Sequence, residues 1–172
     1  MSPTRWHMRD FPKRKPNRLI GYDYNSNGAY FLTLCVKDRY EMLGTIKSNT
    51  MYLSEYGQIV ERELVNTNSI RSECMINQYV IMPNHIHLIL LISQPVGDDG
   101  NRPVNTVNAT STAVPSFIRG FKGAVTRHIG FSMWQRSFHD HIIRSESDYL
   151  RIAEYIEQNP ANWENDCFYT IV

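Results

Sequence analysis

The chain has 172 residues and a mass of 20.1 kDa, with 42% hydrophobic and 12% aromatic residues. That is enough to bury one core, and it excludes a disordered tail, a collagen-like chain and a disulfide-stapled miniprotein. Lys and Arg number 18 against 17 acidic residues, a formal charge of +1, so only the distribution of charge can speak for or against nucleic acid.

Residues 1–28 read as a basic arm: the first twenty carry Arg5, Arg9, Lys13, Arg14, Lys15 and Arg18 against Asp10, and Pro12 and Pro16 oppose a helix. Taken alone, this segment is explained better by a solvated tail without a partner than by a nucleic-acid contact. Residues 29–172 read as a single domain. Its first element is an aromatic, β-branched strand over 29–36. Segments 42–46 and 50–53 flank Lys47, Ser48 and Asn49 and form a hairpin. Ser54 caps a helix to about residue 65, with Tyr56, Ile59, Val60 and Leu64 at helical spacing. Strands follow over 74–82 and 86–92, separated by Pro83 and Asn84; Pro83 marks a bulge or a strand edge because it cannot donate to a ladder. Residues 94–112, rich in Gly, Asn, Thr and Pro, read as a flexible linker. A helix over 114–129 carries Arg119, Lys122 and Arg127 without an acidic neighbour. A strand over 138–143 precedes a helix over 146–158 that Ser145 caps and Pro160 stops. This order is α+β, with a mainly antiparallel sheet.

Cys35, Cys74 and Cys167 lack CxxC spacing and fit a reducing compartment rather than a disulfide framework. The N-terminal residues lack the apolar run of a signal peptide, and the longest apolar stretch is too short to cross a bilayer. A cytoplasmic protein without membrane contact is expected.

Two constellations could carry chemistry. His85 and His87, two apart on a strand, share a face and can take neighbouring positions on one divalent metal; spacing alone favours two half-exposed histidines bonded to local backbone. Tyr155 and Asn159, four apart, share a face of the last helix, so Tyr155 could be a nucleophile beside an amide ligand or a packing residue. His139 and His141 form a second alternating pair, without a metal role assigned.

Taken together, the segments AYFLTLCVKDR, LSEYGQIV, MPNHIH, FIRGFKGAVTRHI, WQRSFHDHIIR and YIEQNP, in this order, resemble the single-tyrosine transposases of the HUH nuclease superfamily. The likeness is greatest to the REP-associated tyrosine transposases. The resemblance implies a ferredoxin-like sandwich with helices on one face of the sheet and the histidine pair on a central strand. It also implies Mg²⁺ or Mn²⁺ held by His85 and His87, with Asn159 as third ligand and Gln158 as second choice. Tyr155, on the nucleophile helix 146–159, would attack single-stranded DNA at hairpin repeats and form a 5′-phosphotyrosine, without a nucleotide cofactor. Arg119, Lys122, Arg127 and Arg136 would contact the phosphate backbone. A monomer is expected over a homodimer. The competing reading is a domesticated hairpin-DNA-binding protein that no longer cleaves.

Overall fold

The computed structural model describes residues 28–93 and 113–169. The basic arm, save for Gly28, and the linker over 94–112 therefore lie outside the described residues. The elements are β1 (Gly28–Cys35), β2 (Gly44–Lys47), β3 (Thr50–Leu53), α1 (Glu55–Ile70), β4 (Cys74–Met82), β5 (His85–Ile92), α2 (Ala113–Ile129), β6 (His139–Ile143) and α3 (Glu146–Gln158). With the β2–β3 hairpin set aside, the order is βαββαβ. The main sheet runs β4-β5-β1-β6 with every neighbouring pair antiparallel, which is the ferredoxin-like α+β arrangement. The histidine strand β5 is central, as expected.

Side-chain alternation sorts the sheet into two faces. Tyr30, Leu32 and Leu34 of β1 and Ile86, Leu88 and Leu90 of β5 pack with Val60 and Leu64 of α1 and with Phe117, Phe121 and Val125 of α2. The intervening residues form a smaller cluster on the other face, where Ile89 meets Ile152 and Ile156 of α3, flanked by Phe31 and Val80. The expectation of helices on one face is thus corrected: α1 and α2 cover one face and α3 the other. The cause is that the β5 residues beneath α3 are apolar at Ile89 as well as at the even positions, so both faces of the strand are buried.

The connections follow the turn chemistry. Ser48 and Asn49 are both left-handed, with φ of 48° and 62°, as a two-residue hairpin turn of matching twist requires. Ser54 caps α1 as expected; its Oγ accepts from Gly57 N at 3.1 Å and donates to the Met42 carbonyl at 2.6 Å. Gly57 has no room for a side chain, because a Cβ there would sit 2.1 Å from the Leu43 carbonyl oxygen. Pro83 and Asn84 are the two-residue turn joining β4 to β5, since Met82 pairs with His85. The irregularity in β4 lies between Ile76 and Gln78 instead. It shifts the alternation so that Cys74, Ile76 and Ile81 all reach the α1–α2 core.

Candidate active site

β1 ends where β5 begins, Cys35 opposite His85 and Thr33 opposite His87, and this register builds the site. His85 and His87 project from the α3 face and are 0% and 2% exposed. Their Nε2 atoms lie 2.9 Å apart. His85 Nδ1 sits 2.9 Å from Asn84 Oδ1, and His87 Nδ1 sits 2.8 Å from Thr33 Oγ1. Phe31 stacks on the His87 ring with centroids 5.2 Å apart, and Phe168 lies 4.6 Å from the His85 ring. Burial, with the Arg39 charge adding to it, pushes His85 down to about 3. Burial and the neighbouring His85 hold His87 well below the usual imidazole range. Both rings are therefore neutral at physiological pH, the form in which imidazole binds metals.

α3 brings Tyr155 over this pair. Ser145 caps the helix by accepting from Asp148 N at 3.1 Å, and Ile152 and Ile156 seat it on Ile89. Tyr155, one residue before Ile156, is half-exposed, with its hydroxyl 3.3 Å from His87 Nε2 and 3.3 Å from Asp166 Oδ2. Burial, and next the Asp166 charge, push the phenol up to about 12. Proton removal from Tyr155 therefore needs an acceptor within reach.

Asn159 follows the last residue of α3 and is buried. Its Nδ2 donates to Asp166 Oδ2 at 3.2 Å, while its Oδ1 has no hydrogen-bond partner. Gln158 is exposed and donates to Glu154 at 2.9 Å. Of the two amides considered from sequence, Asn159 is the one bonded to Asp166, the carboxylate that groups with the histidines. The ligand atoms of His85, His87 and Asp166 all lie within 4.8 Å of one another. Two neutral imidazoles, an unpartnered amide oxygen and a carboxylate fit a small divalent cation that takes mixed nitrogen and oxygen ligands.

Asp166, Asn84 and Thr33 were not singled out from sequence. Asp166 is held by Phe168 N, which donates to its Oδ1 at 2.7 Å; nothing in the spacing after Pro160 indicates that the chain returns to Tyr155. Asn84, next to His85 and after a strand-ending proline, was the most legible of the three.

The basic residues do not gather at this site. Arg119 and Arg127 are exposed on α2, on the opposite face of the sheet from Tyr155. Lys122 turns inward: its ammonium donates to the carbonyls of Gln135 at 2.7 Å and Ser137 at 3.3 Å, and burial pushes it down to about 8. It ties the connection after α2 in place rather than presenting a free cation. Arg136 lies in that connection and is exposed. Trp134, in the same connection, is buried in the core against Phe121. His141 pairs with Asp148 at 2.7 Å, joining β6 to the first turn of α3.

A ferredoxin-like sheet with a histidine pair on a central strand and a tyrosine helix laid across it defines an HUH-type protein. Residues 25–159 match the family model described as transposase IS200 like. An uncharacterised protein of Haemophilus influenzae is 36% identical over 167 residues, spanning 91% of this chain and 93% of its own. The REP-associated tyrosine transposase of Escherichia coli K12 is 28% identical over 138 residues, spanning 80% of this chain and 68% of its own. A solved structure of a REP-associated tyrosine transposase bound to a REP hairpin covers 95% of this chain and 74% of its own, at a TM-score of 0.58 and 24% identity, a likeness of fold. This chain belongs to the IS200-like transposase family.

Proposed function

We propose that the protein is a divalent-metal-dependent single-stranded DNA nuclease and strand transferase acting at hairpin repeats. The observation that carries this reading is the Tyr155 hydroxyl 3.3 Å from His87 Nε2, itself 2.9 Å from His85 Nε2. A nucleophile and a metal-binding pair are then adjacent, as attack on a phosphodiester requires. The Tyr155 oxygen forms a bond to phosphorus, the bond from phosphorus to the 3′-oxygen breaks, and that oxygen leaves with the electron pair to become a 3′-hydroxyl. The products are a 5′-phosphotyrosine and a free 3′ end. Rejoining needs no nucleotide cofactor because the new ester conserves the energy of the old one. Asp166, which accepts a hydrogen bond from the phenol, is within reach to receive its proton. His85, His87, Asn159 and Asp166 would hold Mg²⁺ or Mn²⁺, which when bound supplies Lewis-acid polarisation of the phosphate.

Hairpin DNA is the substrate class to test first, since the fold neighbour is bound to one. Arg119, Arg127 and Arg136 offer exposed cations for its backbone. Tyr155 and both histidines come from one chain, which supports action as a monomer with the nucleophile in cis. No helix among the described residues is long and apolar enough to cross a membrane, and the reading places the protein with DNA in the cytoplasm.

The test uses 3′-labelled single strands from the flanks of the gene, with Mn²⁺ or with EDTA. An SDS-stable adduct that needs metal and is lost in Tyr155→Phe is the expected result. Tight binding without an adduct would replace the nuclease with a binding protein.

A further inference from the structure

The hydrogen bonds behind the two histidines differ in kind. Asn84 Nδ2 donates to the carbonyls of Arg39 at 3.2 Å and Phe168 at 2.9 Å. Both its N–H groups are thereby used, so its oxygen faces His85 Nδ1 at 2.9 Å. An amide oxygen only accepts. His85 therefore carries its hydrogen on Nδ1 and presents a bare lone pair at Nε2.

His87 Nε2 lies 2.9 Å from that lone pair. Two bare lone pairs at this distance repel, so either a hydrogen or a cation must stand between them. With a hydrogen, His87 donates from Nε2, its Nδ1 is bare, and the partner of Nδ1 must donate. With a cation, Nε2 must be bare, Nδ1 carries the hydrogen, and the same partner must accept. That partner is Thr33 Oγ1, at 2.8 Å. A hydroxyl serves both cases by rotating about its C–O bond, which neither a carboxylate nor an amide oxygen can do. Thr33 is 3% exposed, so its hydroxyl has little access to water as an alternative partner.

We propose that Thr33 is a positioning residue that lets His87 move its hydrogen between ring nitrogens as a divalent cation enters or leaves, while Asn84 keeps His85 fixed in the metal-binding form. The ring stays neutral throughout: as the site opens for the ion, water takes the hydrogen leaving Nε2 and water gives one to Nδ1, and the Thr33 hydroxyl turns from donor to acceptor without losing its own. The hydrogen-bonded His85–His87 pair and the ion-bound pair then share one backbone. This rests on the metal half of the proposed function.

Long-range proton–nitrogen NMR correlation of the full chain reads the ring directly. In EDTA, His87 is expected to carry its hydrogen on Nε2, and with saturating Mg²⁺ on Nδ1, with His85 on Nδ1 in both. The same form of His87 in both conditions would overturn the proposal. Calorimetric titration with Mn²⁺ gives a second readout: Thr33→Val weakens binding by roughly 10–100-fold, as loss of a partner behind a metal-binding histidine does elsewhere. Thr33→Ser, which keeps the hydroxyl, stays within about threefold of wild type on the same argument. Thr33→Val binding as tightly as wild type would remove the role of Thr33 and leave the nuclease reading intact. If wild type binds neither ion, the metal reading and this proposal fall together, and the Tyr155 adduct assay shows separately whether cleavage survives.

Discussion

Asn159 is a buried amide satisfied at one end only. Its nitrogen donates to Asp166 while its oxygen has no partner, and an unpaired buried acceptor costs about 1–3 kcal/mol. Under the proposed function, a metal ion is what would satisfy that oxygen. Asn159→Leu removes the unpaired oxygen along with the Asp166 bond, so in EDTA its stability is expected to stay within about 1 kcal/mol of wild type. Mn²⁺ is expected to raise the melting temperature of wild type and to raise that of the variant far less. Thermal unfolding with and without Mn²⁺ measures both; a full metal-induced rise in the variant would remove Asn159 from the ligand set. Period-2 and period-3.6 geometry put His85 with His87 and Tyr155 with Asn159 on common faces, but spacing alone did not mark either pair as a site; the family resemblance did. Thr33 and Asp166 were not legible, because each meets the site through a strand register or a chain return that local spacing does not encode.

Elements were legible to the extent that their signals are local. β4 and α3 have the expected limits, and Ser54 and Ser145 cap the expected helices. α1 runs on to Ile70, beyond the expected end near residue 65, because Thr67 continues the buried stripe through Leu64 although its side chain is polar; its hydroxyl donates to the Glu63 carbonyl at 2.9 Å. Which face a helix covers is not local information, and there the expectation failed for α3. Lys122 shows the same limit within α2, since spacing gave it a place among the cations but not the carbonyls that hold it. Its lowered pKa has a consequence for the element. Between about pH 8 and 10.5 the unfolded chain keeps the Lys122 proton while the folded chain releases it, so stability from this group rises with pH through that window. Chemical denaturation at pH 7.5 and 10 is expected to show wild type gaining relative to Lys122→Met. Equal pH slopes would mean that the buried ammonium is no burden. In DNA binding, Arg136→Ala should lower the salt slope by about 1, and Lys122→Met should leave it unchanged.

At the scale of the molecule, the two faces of the sheet are unequally covered. α1 and α2 share the large cluster with β1, β4 and β5, whereas α3 rests on Ile152 and Ile156 and a few flanking contacts. Side-chain ties supplement them: Gln78 to the Ala153 carbonyl, Tyr149 to Asn77, and Asp148 to His141. Apolar burial sets how much free energy a segment needs to open, and these polar ties are mostly at the surface, where they add little. Amide hydrogens of α3 are therefore expected to exchange with solvent ahead of those of β1 and β5 in native-state exchange; identical protection across all three would show a single cooperative unit. If α3 opens first, Tyr155 and the histidines belong to different folding units. The protein then lifts Tyr155 away while the sheet that holds the histidines stays folded; under the proposed function, a DNA strand attached to that tyrosine would travel with it.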